Sequence, residues 1–209
     1  MLAGPIPVSP PQPRLGFWPL LAADLRQKAL WCYESDRWPA LVKVLFTDGT
    51  AAMVVYRLMQ WARRWRLVPL ELLFNKFNAI GNNCIIGRGA EFGPGFVLVH
   101  ATGVVINGQV QGGANVFIEH QVTIGAERRQ SPILGSNVFI GAGAKIIGPV
   151  TIGNGARVGA NAVVLADVPP HATAVGIPAR VVRQRQPGPA PLTATDADAD
   201  ASAVFTAVS

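Results

Sequence analysis

The sequence predicts a mainly β fold, a parallel β-helix of hexapeptide repeats that follows an N-terminal helical segment. Three observations support this prediction: a period of six residues within residues 80–182, apolar residues at helical spacing before it, and a composition of 50% hydrophobic against 14% charged residues. No α-helix produces a strict period of six, whereas hexapeptide repeats are typical of parallel β-helices. The composition suits a continuous aliphatic column inside stacked coils.

The clearest run of the period starts at Leu134. Every sixth residue is aliphatic, the residue four places later is Val or Ala, and the residue three places later is usually one that suits a corner. We expect the aliphatic and small residues to point inward and to stack at the strand spacing of about 4.8 Å. Gly and Asn tolerate the positive φ of a corner. The inward positions are Leu134, Ile140, Ile146, Ile152, Val158 and Val164, with Val138, Ala144, Val150, Ala156, Ala162 and Val168.

The rhythm of six breaks twice. Two earlier blocks are offset by two residues, so we expect two residues to be looped out near Gly103 to Asn107. A gap of ten residues then separates Ile124 from Leu134, and a polar loop over residues 126–132 fills it. Both breaks are candidate site positions, because a coil stack departs from its rhythm where something besides stacking is required. The blocks are Ile80, Ile86, Phe92, Leu98 and Val104, then Ile106, Gly112, Ile118 and Ile124.

The chain divides into four predicted regions. Residues 1–16 form a flexible proline-rich leader, residues 17–79 a helical cap or assembly region, residues 80–183 the β-helix domain, and residues 184–209 a disordered tail. Within the helical region, residues 22–32 and 50–66 have the apolar spacing of helices. Pro69 marks a break before a last turn or two of helix.

Targeting signals are sparse, and we expect a cytoplasmic protein. The N-terminus lacks a basic-then-apolar signal pattern, and no run of 18 uncharged apolar residues exists. The net charge of +6 suits an anionic ligand or membrane head groups, whereas the absence of a recognition motif argues against nucleic acid. The segment from Trp61 to Arg66 mixes Trp with Arg, which favours capping or subunit contact, with the inner face of the membrane as the alternative.

Two of the three histidines occupy the same position in their repeats. His100 follows Leu98 by two residues and His120 follows Ile118 by two, so both imidazoles should lie at one corner on adjacent coils. A histidine can take a proton from a hydroxyl near neutral pH, provided that a neighbour holds the correct tautomer. His171 lies in the exit turn, where we expect a structural role. Cys84 falls on an inward position, so we expect a buried thiol.

Four segments resemble the serine acetyltransferase branch of the hexapeptide acyltransferases. They are residues 98–106 (LVHATGVVI), 122–125 (VTIG), 140–148 (IGAGAKIIG) and 168–182 (VPPHATAVGIPARVV). The resemblance implies a left-handed β-helix, a homotrimer, and acetyl-CoA bound in grooves between subunits. It also implies that His100 is the general base for an acceptor hydroxyl. His120 is the second candidate base, because residues 118–120 resemble another sugar acetyltransferase branch.

The resemblance places acetyl-CoA on the late coils and the exit. Small residues there let a pantetheine arm lie along the coil beside exposed backbone groups, and basic side chains can meet phosphates. A structural reading is equally open, because solenoid corners need small residues in any case. The candidate cofactor-binding residues are Ala142, Gly143, Lys145, Ala160, Gly176 and Arg180.

Three departures from the serine acetyltransferase pattern decide the predicted acceptor. Val99 and Ile85 stand where that family has Asp, and Gln130-Ser131 stand where it has Arg-His. A serine pocket has to pair a carboxylate and an ammonium. We therefore expect a sugar hydroxyl, in a small molecule or lipid-linked sugar of exopolysaccharide synthesis, as in colanic-acid-type acetyltransferases. Serine O-acetylation in cysteine biosynthesis is the alternative.

Two other classes of function compete with acyl transfer. A metal-dependent hydratase of the γ-carbonic anhydrase kind would need three zinc-ligating histidines, and His171 is far along the stack from the other two. We therefore expect no metal. A non-catalytic trimeric scaffold is the third class, and the paired histidines argue against it.

Overall fold

The structure is a computed structural model that describes residues 15–184. The predicted tail lies almost wholly outside the described residues, and so does most of the predicted leader. In this described part of the chain four helices come first, and we call them together the helical cap. They are α1 (Phe17–Tyr33), α2 (Trp38–Val44), α3 (Thr50–Arg64) and α4 (Val68–Gly81).

Local sequence explains how these helices begin and end. Pro39 and Pro69 stand in the first turns of α2 and α4, where a missing N–H costs nothing and the fixed φ suits a helix. Glu34 ends α1 in the left-handed conformation with φ 51°, and its N–H donates to the carbonyl of Leu30. The buried residues of α3 recur at helical spacing, as the sequence predicts for an amphipathic helix.

Within residues 15–184, fifteen short strands follow the helical cap. They are β1 (Ile85–Ile86), β2 (Glu91–Phe92), β3 (Val97–Leu98), β4 (Val105–Ile106), β5 (Gln111–Gly112), β6 (Val116–Ile118), β7 (Thr123–Gly125), β8 (Ile133–Leu134), β9 (Val138–Ile140), β10 (Lys145–Ile147), β11 (Thr151–Ile152), β12 (Arg157–Val158), β13 (Val163–Val164), β14 (Ala172–Val175) and β15 (Arg180–Gln184).

The strands form three faces of a parallel solenoid, which confirms the predicted β-helix. One face has the order β1-β4-β7-β10-β13, the second β2-β5-β8-β11, and the third β3-β6-β9-β12-β14-β15. All the pairings are parallel except the last, in which β15 runs antiparallel to β14. The regular late coils keep the register that the period predicts, with Ile146 beside Val164 and Ile140 beside Val158.

The interior is the predicted aliphatic column. All the inward positions listed for the run from Leu134 are buried, and none exposes more than 4% of its surface. At the predicted corners, Asn137, Gly143 and Asn161 have positive φ. Pro149 cannot adopt that conformation, and the preceding Gly148 has φ 85° instead.

Ile80 departs from the predicted column. It lies near the end of α4 with 83% of its surface exposed, so its inward placement was wrong. Helical hydrogen bonding overrides the period here, because the N–H groups of Asn82 and Cys84 both donate to the carbonyl of Asn78. The buried column therefore begins with Cys84 and Ile86.

A buried polar network attaches the helical cap to the first coil. The Asp24 carboxylate accepts hydrogen bonds from Arg57 Nε at 2.7 Å and from the N–H groups of Gly95 and Phe96, both at 2.9 Å. Arg57 also donates to the carbonyl of Phe92 at 2.9 Å. Because neither Asp24 nor Arg57 exposes more than 1% of its surface, each depends on the other for its charge.

Candidate active site

The two histidines predicted to share a corner do lie together. Leu98 pairs with Ile118 across β3 and β6, and two residues later the rings of His100 and His120 are 5.9 Å apart between centroids at 74°. We call this pair the histidine corner. The side chains are 51% and 45% exposed, so both imidazoles can meet a ligand from solvent.

The first break in rhythm lies at the histidine corner itself. Counted forward from the pair of Leu98 and Ile118, His100 lies opposite His120. The N–H of Gln121, however, donates to the carbonyl of Thr102 at 2.9 Å, so the register of the two coils has changed by that point. The two extra residues therefore lie between Leu98 and Thr102, slightly before the predicted stretch. The bulge carries His100 on a piece of chain that the regular coil does not have.

Each histidine faces one carboxylate. His100 Nδ1 is 3.4 Å from Asp48 Oδ2, and His120 Nδ1 is 3.7 Å from Glu119 Oε2. Glu119 adjoins His120 in the sequence, but Asp48 comes from the turn between α2 and α3 in the helical cap. Asp48 was not among the predicted site residues. No local signal links it to His100, because the link depends on how the helical cap docks.

A buried lysine lies directly behind the histidine corner. Lys28 Nζ donates to the carbonyl of Leu98 at 2.8 Å, to that of Val99 at 3.5 Å, and to that of Asp48. Its side chain is fully buried. Burial lowers the pKa of Lys28 from 10.5 to about 8, against the opposing effects of Cys32, Asp48 and Glu119.

Three of the candidate cofactor residues line up with His120. Strand β6 pairs with β9, β9 with β12, and β12 with β14. The residues that lie two positions after the last aligned residue of these strands therefore share one corner. Gly143 comes directly after Ala142 in the sequence, and its N–H donates to the carbonyl of His120 at 2.9 Å. The structure therefore brings these predicted residues onto one edge, which we call the corner column. Its members are His120, Ala142, Ala160 and Gly176.

The remaining predicted residues lie beside or beyond this column. Lys145 on β10 donates from Nζ to the carbonyl of Gln121 at 2.5 Å, next to the histidine corner. Arg180 begins the exposed strand β15 at the far end. His171 lies at another corner, where its ring fills the space beside Gly155, so the structure supports its predicted structural role.

The second break lies at a different corner of the coil. Residues 126–132 form a small hairpin in which Glu127 pairs with Gln130, and Arg128 and Arg129 both have positive φ. Ser131 Oγ contacts Asn107 Oδ1 at 3.0 Å on the preceding coil. Arg63, Asn107 and Arg129 line an open cleft beside this loop. Within one chain, this loop is not brought to the histidine corner.

Residues 15–184 lack both a metal-binding cluster and a membrane-spanning helix. No group of three His, Cys, Asp or Glu side chains there is arranged to hold a metal ion. None of the described helices has both the length and the apolar character needed to cross a membrane.

Comparison with known proteins gives consistent matches. The family described as "Bacterial transferase hexapeptide (six repeats)" matches residues 131–166. The serine acetyltransferase of Mycobacterium tuberculosis is 39% identical over 154 residues, which cover 71% of this chain and 67% of that protein. Soybean serine acetyltransferase complexed with serine superposes with a TM-score of 0.69 at 38% identity, covering 78% of this chain and 70% of that one.

A third match is a structure determined with coenzyme A. The serine acetyltransferase of Brucella abortus strain S19 in complex with coenzyme A has a TM-score of 0.72 at 28% identity, and the match covers 81% of this chain and 68% of that one.

These matches overturn the predicted acceptor. The expectation of a sugar hydroxyl in exopolysaccharide synthesis, close to colanic-acid-type enzymes, was wrong, because the relatives are serine acetyltransferases. The lipid-linked sugar has no support either. The prediction assumed that charged groups missing at aligned positions are missing from the site, whereas Asp48 shows that the fold can supply a carboxylate from elsewhere. By its identity to these relatives and the extent of their overlap, the chain belongs to the serine acetyltransferase family of hexapeptide-repeat acyltransferases.

Proposed function

We propose that this protein transfers the acetyl group of acetyl-CoA to the hydroxyl of L-serine, giving O-acetyl-L-serine and CoA. One observation carries the proposal: the half-exposed His100 has Nδ1 3.4 Å from the Asp48 carboxylate, which makes Nε2 the ring nitrogen that would meet a hydroxyl. That arrangement suits a general base near neutral pH. Membership of the serine acetyltransferase family supports the choice of L-serine as the acceptor.

The reaction needs one proton acceptor and one activated acyl group. His100 Nε2 takes the proton of the serine hydroxyl as that oxygen attacks the thioester carbon. The tetrahedral intermediate then expels the CoA sulfur, and the imidazolium returns the proton to the thiolate. General-base assistance of this kind typically contributes about 10²–10⁴-fold. His120, with its ring 5.9 Å from that of His100, is placed to position the acceptor.

Acetyl-CoA is the co-substrate, and the corner column is its proposed site. The small residues Ala142, Ala160 and Gly176 lie along one edge of the solenoid that ends at the histidine corner. An extended pantetheine arm needs a narrow track of this kind. Lys145 and Arg180 flank the column and suit phosphate groups.

We also propose a homotrimer whose sites are shared between subunits. The loop over residues 126–132 lies at a different corner from the histidines, so only a neighbouring subunit can bring such a loop to the site. Exposed apolar side chains on the coil surface, among them Ile133 and Leu165, support such contacts. Light scattering should give three times the chain mass. A monomer with full activity would contradict the shared site.

Thiol release from acetyl-CoA tests the proposed acceptor. L-serine at millimolar concentration should accelerate release far above the rate without acceptor, and L-alanine, which lacks only the hydroxyl, should not. The same assay with His100→Ala should fall to near the background rate. If L-serine and L-alanine give the same rate, serine is not the acceptor and the proposal fails.

A further inference from the structure

A positioning residue for the histidine corner comes from the helical cap. We propose that Asp48 orients the His100 imidazole, by holding the Nδ1 proton so that Nε2 stays unprotonated toward the acceptor. The inference rests on the proposed function, in which His100 is the general base. It is carried by the 3.4 Å distance between Asp48 Oδ2 and His100 Nδ1.

The chain around His100 offers no substitute for this carboxylate. Val99 precedes His100, and Ile85 lies on the first coil, so neither position where the family has Asp carries a carboxylate here. Glu119, on the adjacent coil, faces His120 at 3.7 Å instead. A base needs a partner that selects its tautomer. Asp48, which lies 52 positions before His100 in the chain, meets that need.

A close backbone approach fixes the turn that carries Asp48. Gly49 has φ 77°, and a Cβ added there would lie 2.4 Å from the carbonyl oxygen of Leu98. The turn between α2 and α3 therefore touches β3 directly, two residues before His100. Only glycine combines this φ with this clearance.

Hydrogen bonds secure both sides of the same turn. On the solenoid side, Lys28 Nζ donates both to the carbonyl of Asp48 and to that of Leu98, so one ammonium joins the turn to β3. On the helical side, the hydroxyls of Thr47 and Thr50 both donate to the carbonyl of Val44 at 2.8 Å. The backbone of Asp48 is thus held although its side chain is 83% exposed.

The exposure of Asp48 sets the size of the expected effect. Ion pairs open to solvent contribute little to stability, so removing the carboxylate should leave folding intact. Its effect should appear in turnover, where tautomer and ring orientation matter. We expect Asp48→Asn to lower kcat about tenfold with little change in KM for acetyl-CoA.

A double-mutant cycle tests whether Asp48 acts through His100. Asp48→Asn should lower kcat with His100 present and should add no further loss in the His100→Ala background. Asp48→Glu should recover part of the lost rate. Glu91→Gln, which removes an exposed carboxylate from β2, serves as the matched control and should leave kcat unchanged. A change of less than twofold in Asp48→Asn, or the same loss in both backgrounds, would overturn the proposal.

A second readout separates this inference from the proposed function. Nitrogen-15 NMR of the imidazole rings reports the tautomer of each histidine without any substrate, and His100→Ala assigns the signal. The neutral His100 ring should carry its proton on Nδ1, and Asp48→Asn should shift the ring toward the Nε2-protonated form. An unchanged tautomer would sink the role of Asp48 even in an active enzyme. A failed serine assay with a shifted tautomer would instead remove only the acceptor.

Discussion

The solenoid and the helical cap differ in what they bury. The solenoid interior is aliphatic, and its buried charged side chain, Arg157, lies against an outer face with the guanidinium 4.6 Å from the Phe139 ring. The helical cap buries four charged side chains on or beside the first coil. Coils stack on any similar coil, whereas a cap has to dock in one orientation. Buried charges left unpaired by any other docking are costly, so we infer that they specify this orientation. They are Asp24, Lys28, Arg57 and Glu71.

The solenoid and the helical cap also make different contributions to the candidate site. The solenoid places His100 and His120 by repetition, and the helical cap contributes Asp48 and the supporting Lys28. The site therefore lies on the seam between the two regions. Substitutions at the histidine corner should affect catalysis. Substitutions in the helical cap should affect its docking, and substitutions in the repeating core should affect the stacking of the coils.

The largest expected effect is on catalysis and comes from the solenoid side. His100→Ala should lower kcat by about 10²–10⁴-fold, because the general base is lost, while CoA affinity and oligomeric state stay unchanged. Steady-state thiol release and titration calorimetry with CoA measure these quantities. His120→Ala should act mainly on the KM for the acceptor.

The histidine roles can also come out reversed. If His120→Ala abolishes turnover and His100→Ala is mild, His120 is the base and the carboxylate in question is Glu119. If neither variant affects turnover, the histidine corner is an ordinary surface and the proposed mechanism fails.

The next effect should come from breaking the buried pair at the docking surface. Arg57→Leu leaves the Asp24 carboxylate buried without its partner, which typically costs about 3–5 kcal/mol. Chemical denaturation followed by tryptophan fluorescence measures the loss. Asp24→Asn with Arg57→Leu should recover part of it, since no buried charge remains. A single substitution costing under about 1 kcal/mol would contradict the docking role of the pair.

Lys28 should make the docking of the helical cap depend on pH. Its folded pKa of about 8 lies below the ordinary 10.5, so between these values the unfolded chain binds the proton and the folded chain does not. Stability should therefore rise with pH across that window, by at most roughly 3 kcal/mol. Lys28→Met should flatten this part of the curve. Identical slopes for the two proteins between pH 8 and 10.5 would exclude Lys28 as the cause.

The smallest effect should come from the repeating core. Ile152→Val removes one methylene from a fully buried position and should cost about 0.5–1.5 kcal/mol, with thiol release unchanged. Thermal unfolding measures the cost. A larger loss, or a loss of activity, would mean that the stack is less tolerant than a column of equivalent coils.

What could be predicted from the sequence follows the same division. The buried positions from Leu134 onward and the pairing of His100 with His120 depend only on counting residues per coil, because each coil repeats its neighbour. Asp48 depends on the docking of two surfaces that do not repeat, and no period reports that. The acceptor was predicted wrongly for a related reason. Val99 shows that the Asp of the aligned position is missing, but it does not show whether another element supplies a charged group.

The antiparallel strand β15 has a consequence for solubility. A parallel solenoid ends in open strand edges that could recruit another molecule and grow into a fibre. At the last coil, β15 turns back against β14, covers that edge of its face, and presents Arg180 and Arg183 outward. The helical cap covers the first coil at the opposite end. Deleting residues 180–184 should therefore expose the edge of β14 and promote linear aggregation, at concentrations where the full-length chain stays dispersed.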